Sequence, residues 1–370
     1  MIIGFSVSWA GPIFPKLRDP DQSPLPYLLT EIEMSLIASF TYIGGIPGPF
    51  IMGWLSNIYG RKPCLIVGGV LAGLAYVILV WSNNLAMLYC GRLLVGLGVG
   101  IIAVMNLVYI GEIASSNIRG ILLSALGIFT TCGSLLIYAV GPFLSYSYAS
   151  SVGLATSLVF ILCVMFIPES PIFHILEDNE VKARDNLKDL GREDDIDNIL
   201  QSKIEYINST NKKDWIELFT LRTNKKSLLI VVVMNILQHG SGILALLLGV
   251  YFYLDDYSGL NQVNWLPLAL LIIFFIGYDA GIGIVPNVLI GEMFTMNVRS
   301  KGSAVALAVS WLSGFLVTVA YGAIVEHVGS YAAFWFFSST GLISCLFTIF
   351  CIPETKGKSL LEVQDMLKKN

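Results

Sequence analysis

Two glutamates and two arginines recur in one short phrase. Ile110-Gly111-Glu112 is followed by Asn117 and Arg119, and Ile290-Gly291-Glu292 by Asn297 and Arg299. Glutamate and arginine are seven positions apart in both copies, and the copies are 180 positions apart. Two apolar segments further on, Pro168-Glu169-Ser170 and Pro353-Glu354-Thr355 make a second matched pair. A carboxylate and a guanidinium at such a spacing offer ion pairs and charge-assisted hydrogen bonds. They supply no nucleophile, base and acid acting together, so nothing supports an enzyme. The six cysteines stand singly in or beside apolar runs, without metal or disulfide spacing. Two more charges, Arg92 and Asp279, lie inside long apolar runs. A charge in hydrocarbon is costly, so each is expected to be paired or functional.

The elements that must hold these groups are membrane helices. The chain is 55% hydrophobic and 13% charged, about half the usual charged fraction. Apolar runs long enough to cross a bilayer fall near Ile2–Leu17, Glu33–Trp54, Pro63–Trp81, Leu85–Ile110, Ile121–Phe143, Ser150–Ile167, Ser227–Leu254, Trp265–Ile290, Gly302–Val325 and Tyr331–Ile352. The first has no basic leader or small-residue cleavage site and reads as a helix. The reading is an all-α membrane protein of about ten transmembrane helices. A repeat of this size built from such helices marks two duplicated bundles, the architecture of secondary transporters with a substrate site between the halves.

Lys and Arg set the expected orientation. With both termini cytoplasmic, the inner segments collect Arg61, Lys62, Arg119, the basic residues of 182–226, Arg299, Lys301 and the tail; the outer ones keep only Lys16 and Arg18. The net charge of −4 adds little to this. The polar stretch Ile172–Lys226 carries apolar residues at helical intervals and reads as short amphipathic helices. The expected division is a six-helix bundle over 1–171, a linker over 172–226, a second bundle over 227–354 and a cytoplasmic tail over 355–370.

The loop Gly53-Trp54-Leu55-Ser56-Asn57-Ile58-Tyr59-Gly60-Arg61-Lys62 resembles the loop between helices 2 and 3 of the major facilitator superfamily; Asn57 is the variant common in its sugar porter branch. Gly91-Arg92, Tyr109-Ile110-Gly111-Glu112, Arg119-Gly120, Pro168-Glu169-Ser170-Pro171, Gln238-His239-Gly240-Ser241-Gly242-Ile243 and Pro353-Glu354-Thr355-Lys356-Gly357 follow in the order that sugar porters show. The resemblance covers nearly the whole chain, and the ordered set is highly specific. Its flavour is that of insect facilitated trehalose and glucose transporters. It implies a two-bundle fold, a small-molecule sugar as substrate, the lipid bilayer of a plasma membrane as surroundings, no cofactor, no metal and no nucleic acid.

Residue roles follow from the same resemblance. Asn57, Gly60, Arg61, Lys62, Glu112, Arg119, Glu292 and Arg299 are expected at a cytoplasmic gate that clamps the two bundles, with partly exposed ion pairs of modest strength. Ordinary interfacial anchoring is the alternative. Gln238, His239, Gly242, Ile243, Asn287, Ser310 and Trp311 are expected at the sugar site. His239 could line a cavity or close an interhelical hydrogen bond, and Trp311 could be a packing aromatic. The first helix has no acid near Arg92, which argues for passive facilitation; Asp279 keeps a proton-coupled reading open.

Several positions depart from the pattern. Asn287 stands where the family has a tryptophan, Leu244 and Ser310 where it has asparagines, and Gly127 where its fifth helix has a glutamine. The stretch from Ile2 to Gly111 spans 109 positions, but its counterpart from Ser227 to Gly291 spans 64. The difference implies an internal loss covering the end of helix 7, helix 8 and most of helix 9, and the match also starts late in the first helix. A non-transporting sugar sensor or an inert truncated form is therefore the alternative to a facilitative hexose or trehalose transporter.

Asn208-Ser209-Thr210 is a glycosylation sequon. On the orientation expected here it faces the cytoplasm and stays bare in eukaryotic cells. A glycosidase-sensitive mass shift abolished by Asn208→Gln would overturn that orientation.

Overall fold

The computed structural model describes residues 1–177, 179–192, 214–240, 245–258, 293–294 and 296–352, with 266, 269, 270, 273, 289 and 366. Its contacts divide the chain into two units, 1–210 and 211–370. The division falls inside the stretch read as a linker.

The first unit opens with α1 (Ile2–Ser8) and α2 (Ala10–Arg18), which meet at Trp9. The expected single helix is thus two segments, and Pro15 lies inside the second. α3 (Glu31–Gly45) starts at a capping box: Thr30 accepts from the Glu33 amide, and the Glu33 carboxylate accepts from that of Thr30. α4 (Pro47–Tyr59) begins at a proline, and Ile46 before it keeps helical angles, so 31–52 still runs as one span. Proline has no amide hydrogen to donate, so it suits a helix start. α5 (Arg61–Val80), α6 (Leu85–Ile113), α7 (Ser116–Val140) and α8 (Tyr146–Phe166) follow as long apolar helices. Two short helices, the largely apolar α9 (Pro171–Leu176) and the polar α10 (Glu180–Asp189), follow.

The second unit contains α11 (Asp214–Thr220), α12 (Arg222–Gly240), α13 (Ala245–Ser258), α14 (Met296–His327) and α15 (Ser330–Cys351). Its core is Leu218, Leu228, Ile230, Val231, Met234, Leu289, Met293, Phe294 and Ala306. Among the described residues of the whole chain, eight stretches are long and apolar enough to cross a membrane. Of the ten runs read from sequence, the first is short and broken, and Trp265–Ile290 lies almost wholly outside the described residues.

Lipid tails are as apolar as leucine, so membrane helices associate through close packing rather than water exclusion. α3 and α6 do so through glycine. An added Cβ at Gly96 would run into the Thr41 carbonyl, and one at Gly44 into that of Leu93. The contact continues where Gly48 meets Gly100. On α7, by contrast, Gly120 and Gly127 have nothing within 4 Å of such a Cβ.

Two alanine substitutions test this packing. Gly96→Ala forces α3 and α6 apart and is expected to cost about 1–3 kcal/mol. Gly127→Ala meets no neighbour and is expected to be neutral, or stabilising by up to about 1 kcal/mol through helix propensity. Thermal unfolding in detergent reads both, and equal midpoints would refute the glycine-mediated contact.

Candidate functional site

The repeated glutamate phrase builds a buried polar lock at one end of the first unit. α5 starts just after Gly60, whose φ of 96° is a conformation that L side chains rarely adopt. Glycine has no side chain to cap the helix, so Glu169, which follows α8, takes that place. Its carboxylate accepts from the amides of Arg61 at 3.0 Å and Lys62 at 3.1 Å, and from its neighbour Ser170 at 2.8 Å. Negative charge at a helix N-terminus also suits the helix dipole. A Cβ at residue 60 would strike that same carboxylate. Backbone conformation and cap together therefore require glycine here.

Arg61 then turns its guanidinium onto Glu112, at the end of α6. Nε lies 2.8 Å from Oε2 and Nη2 lies 2.8 Å from Oε1, a bidentate fork. Nη1 donates to the Ser56 carbonyl at 3.0 Å, and the Phe173 ring centroid is 5.7 Å from the guanidinium carbon. Ser170 donates its hydroxyl to Glu112, and Tyr109 donates to the Pro168 carbonyl at 2.7 Å. Lys62 reaches the Met165 carbonyl at 2.8 Å. One network thus joins the ends of α4, α5, α6 and α8 to α9.

The Arg61–Glu112 pair is more buried than the partly exposed ion pairs expected here. The Arg61 and Glu112 side chains are only 5% and 13% exposed, and the partners described above all lie within 1–210. Asn57 is exposed on the last turn of α4. Arg119 and Arg299 lie on helical backbone, but their side chains are outside the described residues, as is Glu292. Sequence reasoning quoted Glu169 and Ser170 without giving them a role. Their signal was the recurrence of the Pro-Glu-Ser/Thr phrase.

Arg92 lies in the middle of the same unit and is fully buried. Nε donates to the Ile37 carbonyl at 3.1 Å and Nη1 to the Ser6 carbonyl at 2.9 Å. The guanidinium carbon is 4.9 Å from the Trp9 ring centroid, a cation–π arrangement. Nη2 has no partner, and no carboxylate pairs with Arg92 among the described residues. Trp9 in turn donates to Ser150 at 3.3 Å, and Ser6 is 2.8 Å from the Tyr76 hydroxyl. α1 and Trp9 after it therefore meet the charge with a backbone carbonyl and an indole ring.

In the second unit, two expected sugar-site residues come together. His239 Nε2 on α12 lies 2.8 Å from the Ser310 hydroxyl on α14. The interhelical hydrogen bond weighed from sequence is formed. Next to it, Thr340 on α15 donates to the Gly240 carbonyl. Gln238 and Trp311 are half-buried on the same two helices as His239 and Ser310. Gly242, Ile243, Asp279 and Asn287 are outside the described residues.

Removing one partner of a buried ion pair strands the other, at a cost of about 3–5 kcal/mol. Glu112→Gln is therefore expected to lower the thermal midpoint sharply, and Arg61→Lys to recover only part of the loss. A midpoint unchanged by Glu112→Gln would show that the pair is not formed.

Comparisons with known proteins agree with this architecture. The family model described as "Sugar (and other) transporter" matches residues 12–253 and 244–367. The facilitated trehalose transporter Tret1 of Polypedilum vanderplanki is 26% identical over 430 residues, covering 98% of this chain and 85% of that protein. Tret1 of Anopheles gambiae is 25% identical over 430 residues, covering 98% of this chain and 54% of its own length. Both alignments run longer than the 370 residues present here, so the relatives carry stretches without a counterpart. Among solved structures, the inward-open xylose transporter XylE from E. coli is 20% identical with a TM-score of 0.78, covering 99% of this chain and 96% of that one. At that identity the likeness is one of fold: the major facilitator fold, here with fewer helices in its second half. On the family match across both halves, this chain belongs to the sugar transporter family.

Proposed function

We propose that this protein carries a sugar across the membrane by facilitated alternating access, with hexoses and trehalose as its substrate class. The observation that carries the reading is the family match over 12–253 and 244–367. The trehalose transporters of insects, which align with 98% of the chain, favour trehalose within that class. The expected setting is a plasma membrane with both termini cytoplasmic. The sugar-site candidates are Gln238, His239, Gly242, Ile243, Asn287, Ser310 and Trp311. Hydrogen-bonding groups near the bilayer midplane suit a polyol.

Uniport is favoured over proton coupling by the surroundings of Arg92. Proton relays within membranes use carboxylates and histidines. Around Arg92 the described partners are two backbone carbonyls and the Trp9 ring. None of these takes up or releases a proton between pH 5 and 8.

A second reading is favoured by the alignments of 430 positions against a chain of 370. A bundle short of helices lacks part of its cavity wall, so the chain is expected to move sugar slowly and to act as a sensor or regulatory form. Uptake of labelled trehalose and glucose in oocytes, normalised to surface protein, separates the readings. The chain with the missing block restored from the Polypedilum relative should show saturable uptake that does not change between pH 5.5 and 7.5. The chain as it stands should give a small fraction of that flux. No uptake by either form overturns the transporter reading. Equal flux overturns the argument from the shortened bundle, and acid-stimulated uptake overturns uniport.

A further inference from the structure

The network around Glu112 has one member that lies in none of the motifs. Arg192 follows α10, in the polar stretch beyond the last helix of the first bundle. Its Nη1 donates to two backbone carbonyls, those of Glu112 and Ile113, each at 3.0 Å. These are among the last carbonyls of α6, whose natural partners would lie beyond the helix end. A cation there also suits the negative end of the helix dipole. The neighbouring helix is bound to the same network. Asn186 donates to the Glu169 carbonyl at 3.1 Å, while Ala183 and Leu187 are fully buried.

We infer that Arg192 is the positioning residue of the Arg61–Glu112 lock. It pins the backbone of the very residue whose carboxylate holds Arg61 and Ser170. The segment 180–192 is thereby a working part of the lock rather than a passive connector. Loosening Arg192 frees the last turn of α6, and Glu112 then loses its fixed reach to the start of α5. The inference is independent of which substrate the protein carries, and its test needs no transport.

Hydrogen–deuterium exchange of the whole chain in lipid nanodiscs reads it directly. In Arg192→Ala, amides 110–114 should exchange about ten-fold faster, the size expected from losing a charge-assisted hydrogen bond. Arg192→Lys, which keeps a cation at the helix end, should recover part of the protection. If Arg192→Ala does not fold, Arg192→Gln serves in its place. Native Cys64 supplies a second readout, because it is buried one turn along α5 from Arg61. With the other five cysteines replaced by serine, maleimide labelling of Cys64 should rise in Arg192→Ala and in Glu112→Gln. The double variant should label no faster than Glu112→Gln alone, because both act through one carboxylate. Unchanged exchange at 110–114 with faster exchange at 183–190 would make Arg192 an anchor of the polar segment only, and would overturn the inference. So would additive labelling in the double variant.

Discussion

Glu112 has to satisfy several demands with two oxygens. It accepts two nitrogens of Arg61 and the hydroxyl of Ser170, and its own carbonyl accepts from Arg192. Glu169 does the complementary work at the backbone of α5. A buried carboxylate and guanidinium are each expensive to take out of water, and they repay that cost only when their remaining hydrogen-bond positions are filled. The lock fills them from α4, α5, α6 and α9. The ends of these elements are therefore mutually fixed, and the glycine at 60 follows from that arrangement.

A different solution serves the charge at the centre of the bundle. Arg92 has no counter-ion among its described partners. It is solvated by the carbonyls of two helices and by the face of Trp9. Those carbonyls belong to Ser6 and Ile37, on α1 and α3, so the guanidinium also cross-links three helices. Two guanidinium groups in one unit thus do opposite things. Arg61 is held by a carboxylate at a helix end, where helix dipoles and polar side chains are near. Arg92 is held by backbone carbonyls and an aromatic face.

The second unit is the shorter half of a duplicated protein. It keeps α12, α14 and α15 packed together around Met234 and Phe294. His239 and Ser310 bond to each other there. A histidine in a membrane span needs a partner, and the serine hydroxyl on the facing helix supplies it. The pair thus joins α12 to α14.

The sequence by itself determined the class. Long apolar runs have no stable form in a bilayer but the helix, since every backbone amide must be satisfied within its own segment. Repetition of the glutamate phrase pointed to a duplication, and its unequal spacing to fewer residues ahead of the second copy. What sequence could not determine was which charges meet. Glu112 and Arg119 are seven apart and look like partners, yet Glu112 holds Arg61, 51 positions earlier. Glu169 caps a helix that begins 108 positions before it. Pairing is decided by how helices cross, and crossing is set by close contacts such as Gly96 on Thr41. These depend on side-chain shape along whole helices, so only the tertiary structure decides them.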